Sequence, residues 1–115
     1  MNIEIRISPK FKKEAKRLLK KYPSLKNELK ELVEVLKEKP DLGTPLGKNC
    51  FKIRLAVKSK NKGKSGGFRI ITYLVATLRL QKNGDIVYLA TIYDKSECDA
   101  ISTKDLARII GEIEL

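Results

Sequence analysis

Residues 50–75 read CFKIRLAVKSKNKGKSGGFRIITYLV, and this stretch decides the fold. From Cys50 to Val57, Phe51, Ile53, Leu55 and Val57 alternate with Lys52, Arg54 and Ala56, which predicts a strand with one basic face. Residues 58–67 (KSKNKGKSGG) are polar, basic and glycine-rich, so they read as a loop. Phe68 to Leu80 follows as a long strand, Asn83-Gly84 reads as a hairpin turn, and Ile86 to Tyr93 is the returning strand. Successive hairpin connections of this kind make a mainly antiparallel sheet.

Working outward, residues 2–7 (NIEIRI) place Ile3, Ile5 and Ile7 on one face of a first strand. Ser8-Pro9 supplies an N-cap and a proline at the first helical position. Phe11, Ala15, Leu18, Leu19 and Tyr22 then recur at helical spacing until Pro23. Ser24 opens a second helix with an apolar stripe of Leu25, Leu29, Leu32, Val33 and Leu36, ended by Pro40. So short a connection predicts an αα-hairpin. Residues 41–47 (DLGTPLG) read as a loop. At the other end, Ser102 with Asp105 predicts a capped last helix to about Ile113, burying Leu106, Ile109 and Ile110. The order is β-α-α-β-β-β-α, an α+β fold, in a single domain spanning residues 1–115.

Charge is distributed very unevenly. No acidic residue falls between Asp41 and Asp85, whereas Lys48, Lys52, Arg54, Lys58, Lys60, Lys62, Lys64, Arg69, Arg79 and Lys82 all do. The chain carries 25 basic and 14 acidic side chains, so the remainder is balanced at 15 against 14. A surface that only maintains solubility mixes its signs; one that meets phosphates does not. Strand alternation puts Lys52, Arg54 and, past Ala56, Lys58 on one side, and the hairpin brings Arg69 back toward Lys58 and the loop lysines. Tyr93, at a strand end beside Asp94 and Lys95, is placed to reach a base or phosphate, while Tyr73 and Tyr88 read as half-buried sheet residues. Asp94 either orients Lys95 or Arg69 or is a solvated loop carboxylate. The lysines of the first helix read as a solvated face, or else as an extension of an RNA-binding surface.

The chain has no histidine, which removes the usual general base, the usual zinc ligand and every Ser-His or Cys-His arrangement. Cys50 and Cys98 lack metal-ligand spacing and read as reduced thiols in a cytoplasmic protein, with a disulfide as the alternative. No apolar run reaches the length of a membrane span. Clustered cations can still cut RNA without metal or cofactor. Attack of a ribose 2′-OH on the adjacent phosphate builds an anionic phosphorane that cations stabilise. They also depress one another's lysine pKa values, so that a lysine can move a proton near neutral pH. DNA lacks the 2′-OH this scheme needs.

Over essentially its whole length the chain resembles the RelE/ParE toxin superfamily, and it is most similar to the RelE/HigB-type mRNA interferases. The resemblance rests on SPKFKKEAKRLLKKYPSL, on GTPLGKNCFKIRLAVKSKNKGKSGGFRIITYLV and on LATIYDKSE, with Lys52 to Tyr73 its most specific part. It implies a metal-independent, cofactor-free endoribonuclease of a type II toxin–antitoxin pair, cleaving mRNA in the A site of the small ribosomal subunit. The implied partners are ribosomal RNA, mRNA and a cognate, DNA-binding antitoxin protein. By motif, Arg69, Lys58, Lys64, Tyr93 and Lys95 are the implied catalytic set. Lys52, Arg54, Lys60, Lys62, Arg79 and Lys82 are the implied RNA- or ribosome-contacting residues. Where some relatives keep a late catalytic tyrosine this chain has Ile101, so Tyr93 is the implied substitute. Two other readings share the fold: a ParE-like gyrase inhibitor and a catalytically silent basic RNA-binding module.

Overall fold

A computed structural model of the chain describes residues 2–60, 67–79, 82–97 and 101–114. Strand β1 (Asn2–Ile7) is followed by helices α1 (Pro9–Lys21) and α2 (Leu25–Glu38). Strands β2 (Thr44–Gly47), β3 (Cys50–Leu55), β4 (Phe68–Arg79) and β5 (Lys82–Asp94) follow, with a 3₁₀ turn at Lys58–Lys60, and α3 (Thr103–Glu114) closes the chain. The architecture is α+β, with three helices and one five-stranded sheet in the order β1-β5-β4-β3-β2. β1 runs parallel to β5 and every other pair is antiparallel, so the sheet is mixed.

Alternation divides the sheet into two faces. On one, Ile53, Phe68, Ile70, Val87, Leu89 and Ile92 meet Phe11, Leu18, Leu25 and Leu36 of the helix pair. Each such side chain, fully buried, contributes about 1.5–3 kcal/mol. On the other, Cys50, Ile71 and Tyr93 meet Leu106 of α3. The corner from β1 into α1 is fixed by Ser8, whose Oγ accepts from the Phe11 N–H (3.1 Å) and donates to the Ala90 carbonyl (2.8 Å). Ser102 caps α3 in the same way, accepting from the Asp105 N–H at 3.1 Å.

Three elements differ from the sequence expectation. Residues 44–47 are a strand, not part of a loop: Pro45 needs no ladder partner for its missing N–H at the outermost position of a sheet. β3 stops at Leu55, short of Val57. Asn83-Gly84 lies within β5, opposite Leu78 and Thr77. A turn at Asn83-Gly84 would have placed Tyr88 opposite Arg79. Instead Tyr88 pairs with Tyr73, ring centroids 6.2 Å apart, so side-chain packing sets the register over local turn chemistry.

Gly43 makes the entry to β2 possible. Its φ is +108°, and a Cβ built there would stand 2.5 Å from the Lys52 carbonyl oxygen. Gly43→Ala is expected to cost about 3 kcal/mol, from the left-handed backbone and the overpacking together. Urea unfolding measures it; a loss below about 1 kcal/mol would show that β2 yields without strain.

Candidate functional site

The pairing of β3, β4 and β5 builds one row across the sheet. Arg54 is the cross-strand partner of Arg69, and Arg69 of Tyr93. Directly opposed residues share a face with Cβ atoms about 4.5–5.5 Å apart. Two guanidinium-bearing residues and a phenol therefore stand side by side on the face that also carries α3. Lys52 lies two residues along β3 from Arg54, on the same side.

The row is graded in exposure. Arg54 is exposed and Lys52 half-buried, whereas Arg69 is only 4% and Tyr93 9% exposed. Arg69 donates from Nη1 to the Phe68 carbonyl at 3.3 Å, which fixes the guanidinium against the strand. Like charges directly opposed across strands destabilise a sheet by a few tenths to about 1 kcal/mol, and an anion bound between them removes that cost. Neither Lys52 nor Arg54 has a carboxylate partner among the described residues.

The other sequence-derived positions fall elsewhere. Because β3 ends at Leu55, alternation does not carry through to Lys58, which instead lines a surface cleft with Ser24 and with Asn27, Glu28 and Glu31 of α2. The 3₁₀ turn is held there by Glu28, which accepts from the Lys58 N–H (2.8 Å), and by the Ser59 N–H donating to Ser24 Oγ (2.9 Å). Lys95 is exposed just past β5, its N–H donating to the Gly67 carbonyl at 3.4 Å. Arg79 and Lys82 pair at the opposite end of the hairpin, ten residues along β4 from Arg69, or roughly 33 Å at the usual strand rise. Lys62 and Lys64 lie outside the described residues.

Lys60 is not a surface lysine. Its ammonium donates to Asp94 Oδ1, with side chains 9% and 4% exposed, and sits 5.3 Å from the Phe68 ring centroid and 6.0 Å from that of Tyr22. Asp94 is thus neither a solvated loop carboxylate nor an orienter of Lys95. One residue past Tyr93 on the strand, it points through the sheet to the helix-pair side. Burial alone would raise the Asp94 carboxyl. Hydrogen bonds from Lys60 and from the Ser96 N–H and Oγ, with the Lys60 charge, hold it below the ordinary carboxylate value.

Two further polar roles have no local signature in the sequence. Past Ile7, β5 loses its β1 neighbour, and Glu14 of α1 takes that place. Its Oε1 accepts from Thr91 Oγ1 at 2.7 Å and from the Ile92 N–H at 3.2 Å. Cys50 is buried, and burial pushes its thiol up to about 11 against a smaller downward pull from the Lys48 charge. At neutral pH it is a protonated packing residue, not a nucleophile. No group of His, Cys, Asp and Glu side chains among the described residues is placed to hold a metal, and no described helix is long and apolar enough to cross a membrane.

The chain matches no protein-family model, no curated protein and no solved structure. The chemistry of the site is therefore read from its own residues. Two neighbouring guanidinium groups beside a phenol and a lysine suit a transition state that gathers negative charge on phosphorus-bound oxygens and requires proton transfer.

Proposed function

We propose that the chain is a RelE/HigB-like mRNA interferase, the toxin of a type II toxin–antitoxin pair, cleaving mRNA in the ribosomal A site. The observation that carries this reading is the Arg54–Arg69–Tyr93 row, with Lys52 beside it, its cations drawn from the acid-free segment between Asp41 and Asp85. The element order β-α-α-β-β-β-α, with a short edge strand added, also agrees with a RelE-like arrangement.

In this mechanism the 2′-oxygen forms a bond to phosphorus as the bond to the 5′-oxygen breaks. The products are a 2′,3′-cyclic phosphate and a 5′-hydroxyl. Arg54 and Arg69 stabilise the phosphorane oxygens. Tyr93, the phenol of the row, takes part in moving the proton from the 2′-OH to the 5′-oxygen. A cognate antitoxin silences the enzyme by covering Lys52 and Arg54 with acidic side chains. The partner also has apolar surface to bury: Ile7 is 57% exposed beside a cleft of about 560 Å³ between α1 and α2, lined by Leu19, Leu29 and Val33.

The test is a reconstituted translation reaction with mRNA ends mapped by primer extension, with and without ribosomes. Cuts at A-site codons only when ribosomes are present are expected. Intact mRNA alongside blocked DNA supercoiling would replace this reading with a gyrase inhibitor. Intact mRNA and unaffected supercoiling would leave a silent RNA-binding module.

A further inference from the structure

We infer that a groove between α1 and α3, away from the Arg54–Arg69 row, binds the sugar-phosphate backbone of single-stranded RNA. The groove, of about 990 Å³, is lined by six cations, Lys10, Lys13, Lys16, Arg17 and Lys20 of α1 and Arg108 of α3, against two carboxylates, Glu14 and Glu112. Lys10, Lys13, Arg17 and Lys20 follow one another at three- and four-residue steps, so they form a single stripe of α1. The stripe runs about 15 Å at the helical rise.

Its charge is left open in a way that α2 is not. On α2, Glu28, Glu31, Glu34 and Glu38 interleave with Lys26, Lys30 and Lys37, the mixed pattern of a solvated helix face. α1 carries Lys10, Lys12, Lys13, Lys16, Arg17, Lys20 and Lys21 against Glu14 alone. Glu14 is also drawn away, since its Oε1 is occupied by the β5 edge while Oε2 meets Lys10 at 3.1 Å. Arg17 pairs with Glu97 and Arg108 with Asp105, at 3.2 and 3.4 Å. Lys13, Lys16 and Lys20 have no carboxylate partner among the described residues and are all exposed. Of the two sequence readings of α1, a solvated face does not account for this separation, whereas an extension of an RNA-binding surface does.

The groove also has a direction. Lys10, Glu14, Arg17 and Arg108 line both it and an adjoining cleft of about 330 Å³ that reaches Tyr93 and also carries Asp94, Glu97 and Asp105. The lining therefore runs from lysine-rich on α1 to charge-mixed at the Tyr93 end of β5, which places the phosphates on α1. The choice of RNA over other polyanions rests on the proposed function; the groove and its charge do not.

The experiment uses a fluorescein-labelled, 2′-O-methyl single-stranded RNA 12-mer, which cannot be cut by 2′-OH attack, and fluorescence anisotropy over a salt series. Lys13→Glu/Lys16→Glu/Lys20→Glu is compared with Lys26→Glu/Lys30→Glu/Lys37→Glu, an equal charge change on exposed positions of α2. Matching circular dichroism melts establish that both fold. Losing three phosphate contacts lowers the salt slope by about 2, or about 100-fold in affinity at 0.1 M salt. The α2 variant is expected to stay within about threefold of the parent, because exposed charges beyond a Debye length are screened. Equal losses in both variants, or no loss in either, would overturn the inference. So would an α1 variant that keeps RNA binding but loses poly-glutamate, which would assign the groove to an acidic protein. Loss of RNA binding on α1 in a protein that cuts no mRNA would sink the enzyme reading and leave the groove standing.

Discussion

Asp94→Ala is expected to lower the free energy of unfolding by about 3–5 kcal/mol, because it strands the Lys60 ammonium between Phe68 and Tyr22 without its counter-ion. In a chain of this size that is about 4 °C of melting temperature per kcal/mol. Lys60→Ala is expected to cost a similar amount. Lys60→Met with Asp94→Leu should recover most of it, since apolar replacement of a buried ion pair is often neutral. Linkage gives an independent check. The folded carboxyl of Asp94 lies below its ordinary value, so its contribution is fully present above about pH 4 and is lost as pH falls through the lowered value. The stability gap between the parent and Asp94→Asn should accordingly narrow in acid. Urea unfolding at pH 7 and pH 3 measures both; a single-variant loss under 1 kcal/mol would mean the pair is held weakly.

Arg69→Lys is expected to reduce ribosome-dependent mRNA cleavage by about 10²–10³-fold. Lysine keeps the charge but loses the planar fork that binds two phosphate oxygens at once. Arg69 is buried in the sheet, so its variants need an unfolding midpoint beside the rate. Arg54→Ala supplies the variant that does not threaten the fold, because the residue is exposed. If both arginines act on the same phosphate, the double variant should lose less than the product of the single losses. Parent-like rates for both folded single variants would remove the row from the mechanism, whatever the protein does.

Much of the fold was legible because its signals are local. Ser8-Pro9 and Ser102 mark helix starts by hydrogen bonds that close within three residues. The apolar stripes of α1 and α2, with Phe11, Leu18, Leu25 and Leu36 buried, follow from helical spacing alone. Asn83-Gly84 and residues 44–47 misled for the same reason. Turn-forming residues weigh little against a register held by core side chains, or against an edge position where a proline costs nothing.

The candidate site divides along the same line. Sequence by itself determined that the cations are gathered without acids between Asp41 and Asp85, and that Arg54, Arg69 and Tyr93 sit on strands. Only the tertiary structure decided which of them meet. Cross-strand register set Arg54, Arg69 and Tyr93 in one row, and the early end of β3 turned Lys58 toward α2. Strand alternation sent Asp94 through the sheet to Lys60. Glu14 of α1 divides its carboxylate between Lys10 and a strand edge 77 residues away. Composition states how many charges a chain has, but the pairing of distant strands determines which of them are neutralised and which are left for a ligand.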